Sequence, residues 1–208
     1  MPPAPTTASR TRLREAAGRG RPRSDRAREA ILDATLGELT DHGFLGLGIE
    51  AIAQRAGVAK TTIYRWWPDK IALALDALRH LPELPESDTG SLVGDLDLLR
   101  RDLLELLAST SLGSVLPVLI AERRRRSEHQ MAIDDYMRER SMPWARAVER
   151  AIARGELPAD SDAELVALLL AGPLTHSILF TEEPLGEQAW AGAIAITLAG
   201  IRAQGEQP

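Results

Sequence analysis

Between Ser24 and Arg202 the apolar residues return every three or four positions, and no stretch alternates with period two over the length of a strand. A chain patterned this way buries its apolar surface by setting helix against helix. The expected fold is therefore all-α, with about nine helices. Ser24 or Asp25 can cap the first, whose apolar face holds Ala27, Ile31, Ala34 and Leu39, and Gly43 sits where a left-handed residue would end it. Ile49, Ile52, Ala53 and Ala56 mark a second, short helix, Gly57-Val58 a tight turn, and Lys60 to Trp66 a third. Pro68 and Asp69 announce a fourth, with Ile71, Leu75 and Leu78 on one face. Residues 82–90 form a Pro/Glu-rich connector. Beyond it come a leucine stripe (Leu92, Leu96, Leu99, Leu103, Leu107) and helices over 115–126, 128–154, 162–180 and 187–202, the second of these closing at Gly155.

The chain of 208 residues has no cysteine, which excludes disulfides, thiolate metal sites and a cysteine nucleophile. The richest apolar stretch, Leu165 to Leu174, is too short for a membrane span and carries Gly172-Pro173. His42, His80, His129 and His176 lie far apart, so no metal site is expected. Neither a phosphate-binding glycine loop nor a nucleophile elbow is present, and no cofactor is implied. The Arg123–Arg126 run reads as the cationic end of a helix. An enzyme with a helical active site has no residues to support it.

Charge is distributed unevenly. The net charge of −5 divides into +4 over residues 1–70 and −9 over residues 71–208. Such asymmetry suits a chain of which one end approaches a polyanion. Residues 1–23, rich in Pro, Gly and Arg with Leu13 as their only large apolar side chain, read as a disordered basic arm. An organellar transit peptide is the lesser reading of that composition, and no apolar segment of a secretory signal follows. Gly18-Arg19-Gly20-Arg21-Pro22-Arg23 resembles an AT-hook core, in which Arg19 and Arg21 would enter a narrow minor groove. The plainer reading is a tail that attracts DNA without regard to sequence.

Residues 49–70, IEAIAQRAGVAKTTIYRWWPDK, carry the strongest signal. Two short helices joined by a glycine turn, the second bearing Lys60, Thr61, Thr62, Tyr64 and Arg65, meet the needs of a helix-turn-helix. Ile52, Ala53 and Ala56 can pack on Ile63 and Trp67. That leaves hydroxyls, a phenol and two cations free for phosphates and base edges.

Residues 24–80, above all HGFLGLGIEAIAQRAGVAKTTIYRWWPDK, resemble the DNA-binding region of the tetracycline-repressor (TetR/AcrR) family of bacterial regulators. Ala153-Arg154-Gly155-Glu156-Leu157 and Gly172-Pro173-Leu174 resemble one branch of it. The resemblance implies a homodimer whose third helix enters the major groove. Lys60, Thr61 and Thr62 would then reach bases or nearby phosphates, Tyr64 a phosphate, Arg65 either, and Lys70 the backbone. Lys60 and Lys70 are the chain's only lysines. Gly48 stands where the family usually has Ser or Thr, so a phosphate contact there must come from backbone N–H groups.

The implied organisation is a basic arm (1–23), a three-helix DNA-binding domain (24–70) and a larger effector-binding and dimerisation domain (71–208). The helix over 162–180 is apolar nearly all round and the last helix carries Gly192, Ala195 and Ala199, so a two-fold four-helix interface is expected. Its expected residues are Leu170, Leu174, Ile178, Trp190, Ile194, Leu198 and Ile201. The resemblance places an effector pocket among the helices from 90 to 154, with Tyr136, Met137, Trp144 and His176 as candidate lining residues for a small apolar molecule. The expected function is a cytoplasmic, ligand-responsive regulator, most often a repressor, on a near-palindromic DNA operator. The rival is a helical small-molecule-binding protein without specific DNA binding, and a shallow salt dependence of DNA binding would favour it.

Overall fold

In the computed structural model residues 21–125 and 127–205 are described, and among them every regular element is helical. The order is α1 (Arg21–Gly46), α2 (Ile49–Arg55), α3 (Lys60–Trp66), α4 (Lys70–Leu78), α5 (Leu92–Ser109), α6 (Leu112–Arg125), α7 (Ser127–Ala153), α8 (Ala163–Phe180) and α9 (Glu187–Gly205). The chain divides into two compact units, one ending at His80 and the other starting at Leu81.

In the first unit α1 supplies the floor. Ile31, Leu32, Ala34 and Leu39 are buried, and α1 packs on both α2 and α4. The helix starts at Arg21, ahead of the expected caps Ser24 and Asp25, because Pro22 in a first turn gives up only an N–H that has no intrahelical partner. Arg21 to Arg23 are therefore helical and do not belong to a disordered arm, and the extended AT-hook reading does not hold for Arg21. Arg19 lies outside the described residues. Gly43, at φ 63°, breaks α1 where its position in the sequence predicts.

The break between units comes ten residues later than the expected domain boundary after Lys70. The cause is α4, whose Ile71, Leu73, Ala74, Leu75, Ala77 and Leu78 are buried and which packs on α1. Asp69 caps it by accepting the N–H groups of Ile71 and Ala72, both at 2.9 Å. Asp76 on its other face accepts the indole N–H of Trp67 at 2.8 Å and a guanidinium N–H of Arg28. One carboxylate thus joins α1, the end of α3 and α4.

The second unit is built around α7. α5 and α6 meet at 93°, and both pack on α7, which packs on α8 in turn, while α9 packs on α8. Trp190 of α9 meets Trp144 of α7 edge to face at 6.2 Å and donates its N–H to Asp97 of α5 at 2.7 Å. α7 ends in a Schellman motif: Gly155 N–H bonds Ile152 O at 3.0 Å and Glu156 N–H bonds Ala151 O at 2.9 Å. Glu156 then accepts the first N–H of α5, from Leu92, at 2.8 Å. α8 in full is long and apolar enough to cross a membrane. The shorter apolar run in the sequence understates it, because Thr175, His176 and Ser177 interrupt the run without adding charge.

Residues 81–90 form no helix, and α7, with Arg154 just past its end, holds them with a row of arginines. Arg140 donates to the carbonyls of Pro82 at 2.7 Å and Leu81 at 3.3 Å. Arg146 pairs with Glu86, Arg150 donates to Ser87 O, and Arg154 donates to Asp88 at 3.2 Å. Asp95, fully buried near the start of α5, accepts the N–H and hydroxyl of Thr89 at 2.6 and 2.9 Å and faces Arg150 and Arg154. Burial pushes its pKa up, but the Thr89 hydrogen bonds and the two guanidinium groups outweigh that and hold it below the ordinary value. Asp95 thus adds stability above its unfolded pKa, and that stability is lost as pH falls through the lower folded one. Asp95→Ala is expected to cost about 3 kcal/mol in urea unfolding at pH 7. The difference from the parent should shrink in the acid limb.

Candidate nucleic-acid interface and internal cavity

The helix-turn-helix is set by its turn. After α2, Gly57 N–H bonds Gln54 O at 3.2 Å and Val58 N–H bonds Ala53 O at 3.0 Å, with Gly57 at φ 66°. A side chain at that φ is strained, and glycine is not. The turn brings Ile52 and Ala53 into the core with Ile63 and Trp67. Ala56, expected beside them, is only half-buried.

With Ile63 turned inward, the rest of α3 faces outward. Lys60, Thr61, Tyr64 and Arg65 are exposed, Tyr64 by 53%, and Thr62 is half-buried. The Arg65 guanidinium lies 5.3 Å from the centre of the Trp66 ring, which limits its swing. Lys60 is paired with Glu50, the second residue of α2. That hydrogen bond and the lysine's charge lower the Glu50 pKa. Nothing in the sequence announces this pairing, since the two residues are ten apart and meet only through the turn. Gly48, at φ −113° and ψ 124°, is the extended N-cap of α2 and provides no side-chain cap. A β-carbon there would meet Ala51 at 3.9 Å, an ordinary contact, so the missing hydroxyl is not a matter of space.

Lys70 is less free than its expected role suggests. Its ammonium sits 4.8 Å from the centre of the Phe44 ring and donates to Leu45 O at 3.3 Å, and burial lowers its pKa. It thereby ties α4 to the segment that leads into α2. Arg55 braces α2 from the other side, pairing with Asp41 at 3.0 Å and Glu38 at 3.5 Å across Gly37.

In the second unit a cavity of about 140 Å³ lies among α5, α6, α7 and α8. Tyr136, Met137 and Trp144 line it, together with Leu84, Leu103, Leu106, Arg140, Ser141 and Thr175. His176 does not. It is exposed one position further along α8, its ring 5.1 Å from that of Phe180, and Thr175 takes the cavity face instead. The sequence does hold a signal for Arg140 and Ser141: with Tyr136, Met137 and Trp144 they occupy one helical face at i, i+1, i+4, i+5 and i+8.

Most residues of the expected dimer seam face into their own chain. Leu170, Leu174, Trp190, Ile194 and Leu198 are buried within the chain itself, Ile178 lines the cavity and Ile201 is half-buried. A helix apolar all round gives no sequence clue to which side its own chain takes. The outward apolar residues of α8 and α9 are Leu165, Leu168 (68% exposed), Leu169, Phe180 and Ile196 (76%), beside Gly192, Ala195 and Ala199.

Residues 31–77 match the family model described as bacterial regulatory proteins, tetR family, and residues 86–196 match that of the tetracyclin repressor-like C-terminal domain. The chain belongs to the TetR family. It is a DNA-binding transcriptional regulator with the family's N-terminal helix-turn-helix and helical C-terminal domain. Among its TetR relatives, the HTH-type transcriptional regulator YdeS of Bacillus subtilis is 30% identical over 89% of this chain and 94% of its own. The HTH-type regulator AqdR of Rhodococcus erythropolis is 32% identical over 76% of each chain. The crystal structure of the TetR-family regulator SCO0332 superposes with a TM-score of 0.70 at 28% identity, covering 88% of this chain and 99% of that one. TetR regulators bind DNA operators and small-molecule effectors, usually as dimers.

Gly57→Ala is expected to lower the thermal stability of this TetR regulator by about 1–2 kcal/mol, the cost of a left-handed alanine. Circular dichroism of the melt reads it directly.

Proposed function

We propose that this regulator is a cytoplasmic homodimer that binds a near-palindromic operator, acts as a repressor, is released by a small apolar effector, and has no catalytic activity. The observation that carries the DNA reading is the division of α3: Ile63 is buried while Lys60, Thr61, Tyr64 and Arg65 are exposed on one short helix. On this reading Lys60, Thr61 and Thr62 reach bases or adjacent phosphates. Tyr64 bonds a phosphate, Arg65 serves either, and Lys70 and the Gly48 backbone hold the strand. Arg19 in the basic arm and Arg21 at the start of α1 add salt-dependent attraction. Two recognition helices would lie about 34–36 Å apart, one turn of DNA.

Dimerisation falls to the outward face of α8 and α9. Leu165, Leu168, Leu169 and Ile196 are too many exposed large apolar side chains for a helix pair left in water, and Gly192, Ala195 and Ala199 allow close approach. The effector would occupy the cavity bounded by Tyr136, Met137 and Trp144. It shifts the dimer away from the DNA-binding spacing only if it binds the two states with different affinity.

Selection of bound fragments from genomic DNA by the purified protein tests the operator: an enriched palindrome is expected, and its absence with ligand-free protein favours the rival without specific DNA binding. Tyr64→Phe is expected to weaken binding to all sequences alike, by about 1 kcal/mol. Lys60→Ala should change preference at one or two base positions. Equal losses on selected and scrambled DNA would place Lys60 among the phosphate contacts. Ile196→Glu should convert the dimer to monomer in analytical ultracentrifugation, whereas Leu165 and Ile196 variants that stay dimeric would move the interface elsewhere.

A further inference from the structure

Arg140 belongs to two structures at once. Its side chain forms part of the cavity wall, its guanidinium carbon 5.5 Å from the centre of the Tyr136 ring. The same guanidinium donates outward to the carbonyls of Leu81 and Pro82, the first residues of the connector. Leu84, two residues on, is buried and lines the same cavity. The other arginines that hold the connector, Arg146, Arg150 and Arg154, bond Glu86, Ser87 and Asp88 and are not part of the cavity wall. One staple of that row is therefore within reach of a ligand, and it is the one nearest in sequence to α4.

We propose that the cavity takes a small apolar carboxylate whose acid group captures Arg140 from the Leu81 and Pro82 carbonyls, so that binding loosens the start of the connector. This rests on the reading of the cavity as the effector site. Three observations carry it. The cavity, at about 140 Å³, is close to the roughly 150 Å³ that holds one benzene ring in an apolar protein core, so a single ring or a short alkyl chain fills it. Its walls are chiefly leucines and aromatic rings, and Arg140 is the one charged residue among the described residues that line it. A carboxylate forms charge-assisted, bidentate bonds with a guanidinium, stronger than those of neutral carbonyls, so the exchange runs toward the ligand. A neutral ligand of the same shape fills the cavity and leaves the staple in place.

The test is calorimetric titration of the full-length protein at pH 7 with benzoate and hexanoate, each against the corresponding alcohol, benzyl alcohol and hexan-1-ol. The carboxylates are expected to bind at least about tenfold tighter than the alcohols. Arg140→Met should bring carboxylate affinity down to that of the matching alcohol, and cleavage of the connector after Glu83 and Glu86 by a glutamate-specific protease should quicken when benzoate, but not benzyl alcohol, is added to the parent. Arg140→Lys, which keeps the charge but lacks the fork, should lose most of the preference and serves if the methionine variant does not fold. Equal affinity for acid and alcohol, or carboxylate binding that leaves cleavage after Glu83 and Glu86 unchanged, overturns the proposal. If Leu103→Trp, which fills the cavity, then abolishes the binding, the cavity reading survives that failure. Binding of no probe by the parent overturns both.

Discussion

The thirteen residues between α4 and α5 leave their backbone groups to be satisfied by something other than a helix, and in this protein α7 does much of it. A buried or half-buried carbonyl with no partner is costly. The connector's carbonyls at Leu81, Pro82 and Ser87 are taken up by arginines of one long helix, and its acidic side chains Glu86 and Asp88 by two more. Asp95 completes the arrangement from inside. It needs Thr89 and two guanidinium groups to be tolerable where it is, and by taking them it fixes the connector's end against α5 and α7. The position of α7 therefore governs how the chain enters the second unit, and α7 also provides one wall of the cavity.

The first unit solves a different problem. Its short helices, seven residues in α2 and seven in α3, have too few backbone bonds to be stable alone. They are held by a small number of side chains that reach between elements: Trp67 and Arg28 on Asp76, Arg55 on Asp41 and Glu38, Lys70 on Phe44 and Leu45. With the inner face of α3 fixed by Ile63 and Trp67, its polar residues are presented as a group and lose little freedom when they meet a ligand. The Lys60–Glu50 pair is the exception, because a phosphate or base that recruits Lys60 has to replace a carboxylate already bound to it.

Much of this was legible in the residues. Helical periodicity, the glycines at 43, 57 and 155 and the Pro68-Asp69 start gave the elements, since each is a local rule with a local cause. The outward residues of α3 followed from the inward ones by the same arithmetic. What the sequence did not show is what long-range packing decides. α8 is apolar on every side, so its pattern cannot tell which leucines face α7 and α9 and which face out; Leu170 and Leu174 are buried, and Leu168 and Leu169 are the exposed ones. His176 and Thr175 are one residue apart, and a rotation of about 100° separates cavity from solvent. The arginine row on α7 had no signature, because its partners, backbone carbonyls and carboxylates alike, lie mostly some sixty residues away.

The place where the chain changes from one unit to the other has a practical meaning for anyone recombining such regulators. A chimaera joined after Lys70 would take α4 from a different parent than α1 and leave Asp76, Trp67 and Arg28 to chance. A junction between His80 and Leu81 keeps that trio together on one side, and on the other it keeps every arginine of α7 with the connector it holds.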